Sequence, residues 1–408
     1  MYSCSIFLLN YLFININSKS QSFASLDSFL NQFTFNANVD PSILREISLN
    51  PTEVMNLYGY KGENHSVTTD DGYILTVLRI PDVNPNSIPI LLLHGSNGRS
   101  DQFFINGHTS PAFILADAGF DVWLANFRGT SFTSHKKYTT KDKQFWDFSW
   151  QEMAQQDLPH SIDYILNFTK HEKIILSGHS MGTTVGFALL SSQPSYNHKV
   201  AGFLPLAPVA YSNYPPNFFQ IYKHIPSFQK LYTETNFEPR QILYLDGWKL
   251  QLVQSICASK TFYFICELQW NLFGYDPYLY NKTRAPIFVS RSDGASIKTF
   301  AHVAQIRTLK GMHQYNYGKE MNQKRYNSSM PPAYNLSKIS APVVLFHGAN
   351  DVAADPLDVA LIGQKLPNLQ AKELIPDPRF SHMDFMFAMN MKRLVYDKFI
   401  EHAKNMWN

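Results

Sequence analysis

Gly178-His179-Ser180-Met181-Gly182 forms a G-x-S-x-G motif. It directly follows the apolar run Ile174-Ile175-Leu176 and opens a helical pattern, MGTTVGFALLSS. Strand, sharp turn and helix are the setting of a nucleophile elbow. The glycines leave room for the turn that lifts the serine oxygen. The helix N-terminus offers free N–H groups to developing negative charge. The plainer alternative is a Gly-Ser turn with a capping serine.

A hydroxyl is a weak nucleophile near neutral pH, so it needs a base, and the base needs an acid to orient it. On an α/β sheet of this kind the chain order is serine, acid, histidine. Asp351 lies just beyond the apolar run APVVLFHG and is the candidate acid. Asp355 competes, but ahead of Pro356 it reads better as a helix cap. His382, in the loop PRFSHMDF, is the candidate base. His313 is the other late histidine, and it lies where the sheet pattern is broken. An oxyanion requires two backbone donors. Met181, after the nucleophile, supplies one; Ser96, in the loop ending ILLLHG, is the candidate for the other, with His94 as a support. No His/Cys/Asp cluster has metal-ligand spacing, so neither a metal nor a cofactor is expected.

These residues need a frame. Asn50-Pro51-Thr52-Glu53 reads as a capped helix start. HSVTT and YILTVLRI flank Asp71-Gly72, a hairpin turn. Strands are expected in IPILLLHG, FDVWLAN, KIILSGHS, VAGFLPLAP, APVVLFHG and AKELIP. Helices are expected in AFILADAG, from Trp146 to Thr169 despite Pro159, in MGTTVGFALLSS and PLDVALIGQKL, and from about Met391. The alternation predicts an α/β fold, a mostly parallel sheet with helices on both faces. It stops after Pro208 and resumes near residue 335. The expected divisions are a signal peptide over 1–24, a first core part over 25–210, an insertion over 211–334 and a second core part over 335–408.

With 408 residues there is ample chain for a core. The 45% apolar and 14% aromatic content argues against disorder. A balance of 35 basic and 32 acidic residues leaves no footprint for nucleic acid. No run of eighteen apolar residues suggests a membrane span. CSIFLLNYLFINI near the N-terminus has the length of a signal-peptide core, with Ser22-Phe23-Ala24 as a cleavage site. A buried N-terminal strand or helix is the alternative. Removal of that leader leaves Cys257 and Cys266, either a disulfide or two buried thiols. Asn64, Asn167, Asn281, Asn327 and Asn335 head Asn-x-Ser/Thr sequons, candidates for glycosylation. These features agree with passage through the secretory pathway.

VTTDDGYILTVLRIP, LLLHG, FILADAGFDVWLANFRG, EMAQQDLPHSIDYIL, GHSMGTTVGF, LAPVA, PPAYNLSKISAPV, ANDVAADPLDV, KLPNLQ and SHMDF occur in this order. Together they resemble the acid lipase family of α/β hydrolases, which includes the gastric and lysosomal acid lipases. The resemblance covers nearly the whole chain after the leader. It implies an α/β-hydrolase fold with a lid-bearing cap in the insertion. It implies hydrolysis of fatty-acid esters, such as triacylglycerols or sterol esters, at a lipid–water interface, by a secreted or lysosomal enzyme. Ser180, Asp351 and His382 match the family's triad, Ser96 and Met181 its oxyanion positions, and Cys257 and Cys266 a cap disulfide. The family usually has Gln at position 181 and Leu at 96, and the loop Asn97 to Asp101 is more polar than its pattern. Aromatic stretches in the insertion, NYPPNFFQIY, FYFIC and QWNLFGY, suit a cap core or an apolar lid. Two rival readings are a short-chain carboxylesterase on the same fold and an inactive lipid-binding relative.

Overall fold

The computed structural model describes residues 39–214, 237–259, 263–264, 266–267, 276 and 278–408. The expected leader and most of the aromatic stretches NYPPNFFQIY and QWNLFGY lie outside the described residues.

Two short helices come first, α1 (Pro41–Ser48) and α2 (Pro51–Leu57). Asn50 and Glu53 close a reciprocal capping box, Glu53 N–H to Asn50 Oδ1 at 3.0 Å and Asn50 N–H to Glu53 Oε2 at 2.8 Å. Strands β1 (Glu63–Thr68) and β2 (Tyr73–Ile80) pair antiparallel. Gly72 turns between them with a φ of +99°, a conformation that favours glycine.

The chain then alternates. Its elements are β3 (Pro89–Leu93), α3 (Pro111–Asp117), β4 (Asp121–Leu124), β5 (Thr133–His135), α4 (Leu158–Thr169), β6 (Ile174–His179), α5 (Met181–Ser192) and β7 (Val200–Leu206). A stretch of different character follows. It holds β8 (Gln241–Ile242), α6 (Gly247–Ala258), α7 (Ala285–Ser290), β9 (Ala295–Ser296), α8 (Ile297–Thr308) and α9 (Lys319–Tyr326). The alternation resumes with β10 (Val343–His347), α10 (Pro356–Lys365), β11 (Leu369–Leu374), α11 (Asp384–Phe387) and α12 (Asp397–Trp407).

One sheet runs β1-β2-β4-β3-β6-β7-β10-β11, with β5 also on β2. Every pairing from β4 to β11 is parallel, and those of β2 are antiparallel. Strands β3, β4, β6, β7 and β10 are buried along their whole length, which is why apolar residues dominate their sequences with no polar alternation. Edge strand β11, LQAKEL, alternates between half-buried and exposed. Helix α5 has every residue from Met181 to Ser191 buried. It is therefore covered on every side, with no polar stripe facing water. The sheet and its helices make the α/β fold expected from the alternation. Because the strands are parallel, the chain ends that follow β3, β6 and β10 emerge at one edge.

The helix expected from Trp146 starts later. Trp146 ends a 3₁₀ turn, Lys143–Trp146, and helix begins at Trp150, where Ser149 and Glu152 form a second capping box. A π turn, Met153–Asp157, follows, and Pro159 sits in the first turn of α4. Proline cannot donate to the carbonyl four residues back. That carbonyl, of Gln155, instead accepts from Gln193 Nε2 at 3.5 Å.

Candidate active site

Ser180 stands between β6 and α5 with φ 55° and ψ −120°, a strained backbone for a residue with a side chain. Tight packing holds it there. A Cβ on Gly182 would lie 2.4 Å from the Leu93 carbonyl oxygen, and one on Gly178 would lie 2.8 Å from the Gly182 carbonyl carbon. Glycine is therefore required at both motif positions. The Ser180 N–H donates to the Leu206 carbonyl at 3.2 Å, and Thr183 Oγ1 donates to the Ser180 carbonyl at 2.6 Å.

His382 Nε2 is 2.8 Å from Ser180 Oγ. Its Nδ1 is 3.0 and 2.9 Å from the two Asp351 oxygens. An Asp351 carboxylate can only accept, so Nδ1 carries the proton and Nε2 is left to accept from the serine hydroxyl. Asp351 Oδ1 also accepts from the Ala353 and Ala354 amides at 2.9 and 2.7 Å. Burial alone would raise the Asp351 pKa. The His382 charge and these hydrogen bonds outweigh it and hold the carboxyl below its usual range. Asp355 caps α10 instead, accepting from the Leu357 amide at 2.8 Å. His313 is part of the inserted stretch, where its Nδ1 meets the Gly311 carbonyl at 3.1 Å.

A further anchor escaped the sequence reading. His179 Nε2 is 2.8 Å from the His382 carbonyl oxygen. Burial, with the His382 charge adding to it, pushes the His179 pKa down to about 3. A neutral ring therefore donates this bond and fixes the main chain of the candidate base. The x of the motif has a structural duty, but its partner lies 203 residues away, and no local pattern reveals it.

His94 supports the loop after β3, as expected. Its Nε2 accepts from the Phe127 amide at 3.1 Å, so its Nδ1 donates to the Gly95 carbonyl at 2.8 Å. Burial pushes its pKa down to about 4. A Cβ on Gly95 would lie 3.2 Å from Ser180 Cβ, so the backbone leading into half-buried Ser96 runs beside Ser180. Met181 is the first residue of α5, where a helix amide has no partner within the helix.

The polar loop from Asn97 to Asp101 is directed into a buried network. Arg99 Nε pairs with Asp101 Oδ1 at 2.8 Å, and Arg291 Nη1 with Asp101 Oδ2 at 3.2 Å. Asp293 Oδ2 accepts from the Ser131 amide and hydroxyl at 2.7 and 2.8 Å, and lies 3.9 Å from Arg99 Nη1. Arg284 pairs with Glu46 of α1 at 2.6 Å. The charges of this loop therefore tie the sheet domain to the inserted stretch. Charged residues in a loop suggest exposure, and only packing shows otherwise.

Cys257 of α6 and Cys266 are joined by a disulfide. Asn64, Asn167, Asn327 and Asn335 are exposed, and Asn281 is half-buried. Among the described residues no group of His, Cys, Asp and Glu could hold a metal ion, and no helix is long and apolar enough to cross a membrane.

The family described as alpha/beta hydrolase fold matches residues 88–388, and that described as partial alpha/beta-hydrolase lipase region matches 51–107. The chain is 36% identical to gastric triacylglycerol lipase of Mus musculus over 369 residues, 87% of this chain and 91% of that one. It is 33% identical to the Homo sapiens gastric triacylglycerol lipase, with the same coverage of each chain. It is 32% identical to lipase 1 of Drosophila melanogaster, covering 88% of this chain and 81% of that one. Among solved structures, the α/β hydrolase GrgF from Penicillium sp. sh18 superposes with a TM-score of 0.52 at 14% identity, over 85% of this chain and 98% of that one. A bacterial membrane phospholipase A superposes with a TM-score of 0.51 at 13% identity, over 98% and 99%. At such identity these two structures speak for the fold alone.

Proposed function

Because the chain belongs to the α/β-hydrolase lipases, the family of the gastric triacylglycerol lipases, we propose that it hydrolyses fatty-acyl esters through Ser180, His382 and Asp351. It is a carboxylic ester hydrolase of the lipase type. The observation that carries the assignment of residues is the unbroken hydrogen-bonded line from Asp351 through His382 to Ser180.

Ser180 Oγ attacks the ester carbonyl as His382 Nε2 takes its proton. Asp351 fixes the tautomer and stabilises the imidazolium. Backbone amides of Met181 and Ser96 hold the oxyanion, so the side chains at these two positions are free to differ from the family pattern. The imidazolium then protonates the departing alkoxide, leaving an acyl-serine. Water, deprotonated by His382, releases the fatty acid and restores the hydroxyl. The inserted residues 211–334 act as a cap over this edge of the sheet, and the substrate is a lipid ester met at a lipid–water interface. The Cys257–Cys266 disulfide and the exposed sequons support maturation in the secretory pathway, ending in secretion or in the lysosome.

A chain-length series tests this reading. The purified protein and Ser180→Ala are offered esters from acetyl to oleoyl, at acidic and neutral pH. Hydrolysis of long-chain esters that Ser180→Ala abolishes supports it. A maximum at two to four carbons would indicate a short-chain esterase instead. Equal rates for the two proteins would remove Ser180 as nucleophile.

A further inference from the structure

Three ties position the loop that carries His382. The Phe380 carbonyl accepts from the Asn350 amide at 3.1 Å, and the His382 carbonyl accepts from His179. The third is a clamp on Ser381. Asp384 Oδ2 accepts both the Ser381 amide, at 2.7 Å, and the Ser381 hydroxyl, at 2.8 Å. Ser381 and Asp384 are fully buried. The other Asp384 oxygen, Oδ1, is buried without a hydrogen-bond partner. A sealed carboxylate with an idle oxygen is costly unless it holds a proton.

Its surroundings deepen that cost. The inserted stretch meets this loop. The Met389 amide donates to the Leu279 carbonyl at 2.8 Å, and Phe387 stacks on Phe288 with centroids 4.6 Å apart. Into the same seam comes Asp276, only 2% exposed. Its Oδ2 faces Arg379 Nε at 3.3 Å but makes no hydrogen bond. Among the described residues, the charges that act on Asp384 are those of Asp276 and Asp351. Asp276 faces Arg379, which also pairs with Asp377 at 3.1 Å, and Asp351 pairs with His382, whose carbonyl meets His179.

We infer that Asp384 is a positioning residue: its carboxyl group clamps Ser381, and through it the main chain of His382, in a manner that depends on its protonation. The inference rests on the hydrolase reading above. With a proton on Oδ1, Oδ2 still accepts both Ser381 bonds, and no charge opposes Asp276 and Asp351. When that proton is lost, a second buried carboxylate charge stands against Asp276 at the dry seam, with the field of Asp351 behind it, and the inserted stretch and the histidine loop are pushed apart. Burial is the main force on Asp384. The Ser381 bonds oppose it, the fields of Asp276 and Asp351 add to it, and the outcome is a pKa raised to about 7. The folded form thus prefers the proton. This contribution to stability is full below the ordinary carboxylate range and is lost as pH rises through about 7.

The test compares kcat and KM across pH for wild type, Asp384→Asn and Asp384→Ala, on a soluble butyrate ester read at the isosbestic wavelength of its product. Wild-type kcat/KM is expected to fall about tenfold over the two pH units above neutrality. Asp384→Asn keeps an acceptor for Ser381 and cannot ionise, so its alkaline limb moves up by a pH unit or more. Asp384→Ala lowers kcat about tenfold or more with little change in KM, and Asn restores most of that loss. An alkaline limb shared by wild type and Asp384→Asn overturns the inference. Melting temperature against pH gives a reading independent of turnover. Wild type loses stability as pH rises from the ordinary carboxylate range to about 7 and levels off above it, and Asp384→Asn does not, whereas parallel curves overturn the inference. Wild type inactive on every ester would refute the hydrolase reading, and the melting curves would still decide the titration of Asp384.

Discussion

Replacing Asp351 with Asn changes one atom of a nearly sealed group and separates two carboxyls that lie four residues apart. Asp351 is 2% exposed, and its oxygens take His382 Nδ1 and the amides of Ala353 and Ala354. An Asn carbonyl still accepts the two amides, so the loop stays folded. Its NH₂ then faces His382 Nδ1, which must become the acceptor. The proton moves to Nε2 and points at Ser180 Oγ, so the ring cannot take the serine proton. The imidazolium also loses its counter-charge. A comparable wrong-tautomer substitution in a serine protease costs about 10⁴ in kcat, equivalent to about 5.4 kcal/mol of transition-state stabilisation. Asp355→Asn is the matched control. Its oxygen caps α10 on the Leu357 amide, and Asn caps a helix about as well as Asp, so kcat should stay within about twofold. The assay is kcat on a soluble fatty-acyl ester, with circular dichroism to verify folding. A larger loss at 355 than at 351, or a loss at 351 below about a hundredfold, refutes the reasoning.

Arg128→Met should destabilise the fold by about 3–5 kcal/mol in denaturant unfolding, because it strands Asp157, which is 1% exposed and pairs with the guanidinium at 2.7 Å. A loss below about 1 kcal/mol would count against a structural role for that pair. Gly182→Ala should cost stability at or beyond the upper end of the usual range of about 1–3 kcal/mol for overpacking, and activity with it, since the new methyl meets backbone of Leu93 and His94. A fully active, equally stable Ala variant would mean the elbow packs more loosely than described. Replacing Cys257 and Cys266 with Ser opens a loop of sequence separation 9 and should cost about 2.5–3 kcal/mol, read as a lowered unfolding midpoint that reductant also produces in the wild type. An unchanged midpoint would mean that the loop is as ordered without the bond.

The parts of the site most legible in the sequence are those whose chemistry is local. Central strands such as Ile174-Ile175-Leu176 read as continuous apolar runs because both faces are covered. Ser180, Asp351 and His382 stood out because each follows a strand, in a fixed chain order. Long-range pairings were hidden. Nothing near His179 points to the His382 carbonyl, and Asp101 looked like a loop charge until Arg99 and Arg291 enclosed it. Ser381 and Asp384 flank His382 in SHMDF, yet their clamp is a fact of burial. The start of the helix before Pro159 was misplaced by four residues, because an apolar stretch continues through Trp146 while the capping box at Ser149 decides the boundary.

Covalent labelling with an alkyl phosphonate ester, followed by peptide mass spectrometry, tests the central assignment most directly. Its leaving group is displaced only by an activated nucleophile. Loss of hydrolysis is predicted to track one adduct per chain on Ser180, with labelling abolished in His382→Ala. An adduct on another residue that accounts for the inactivation, or full activity in protein completely modified at Ser180, would contradict it.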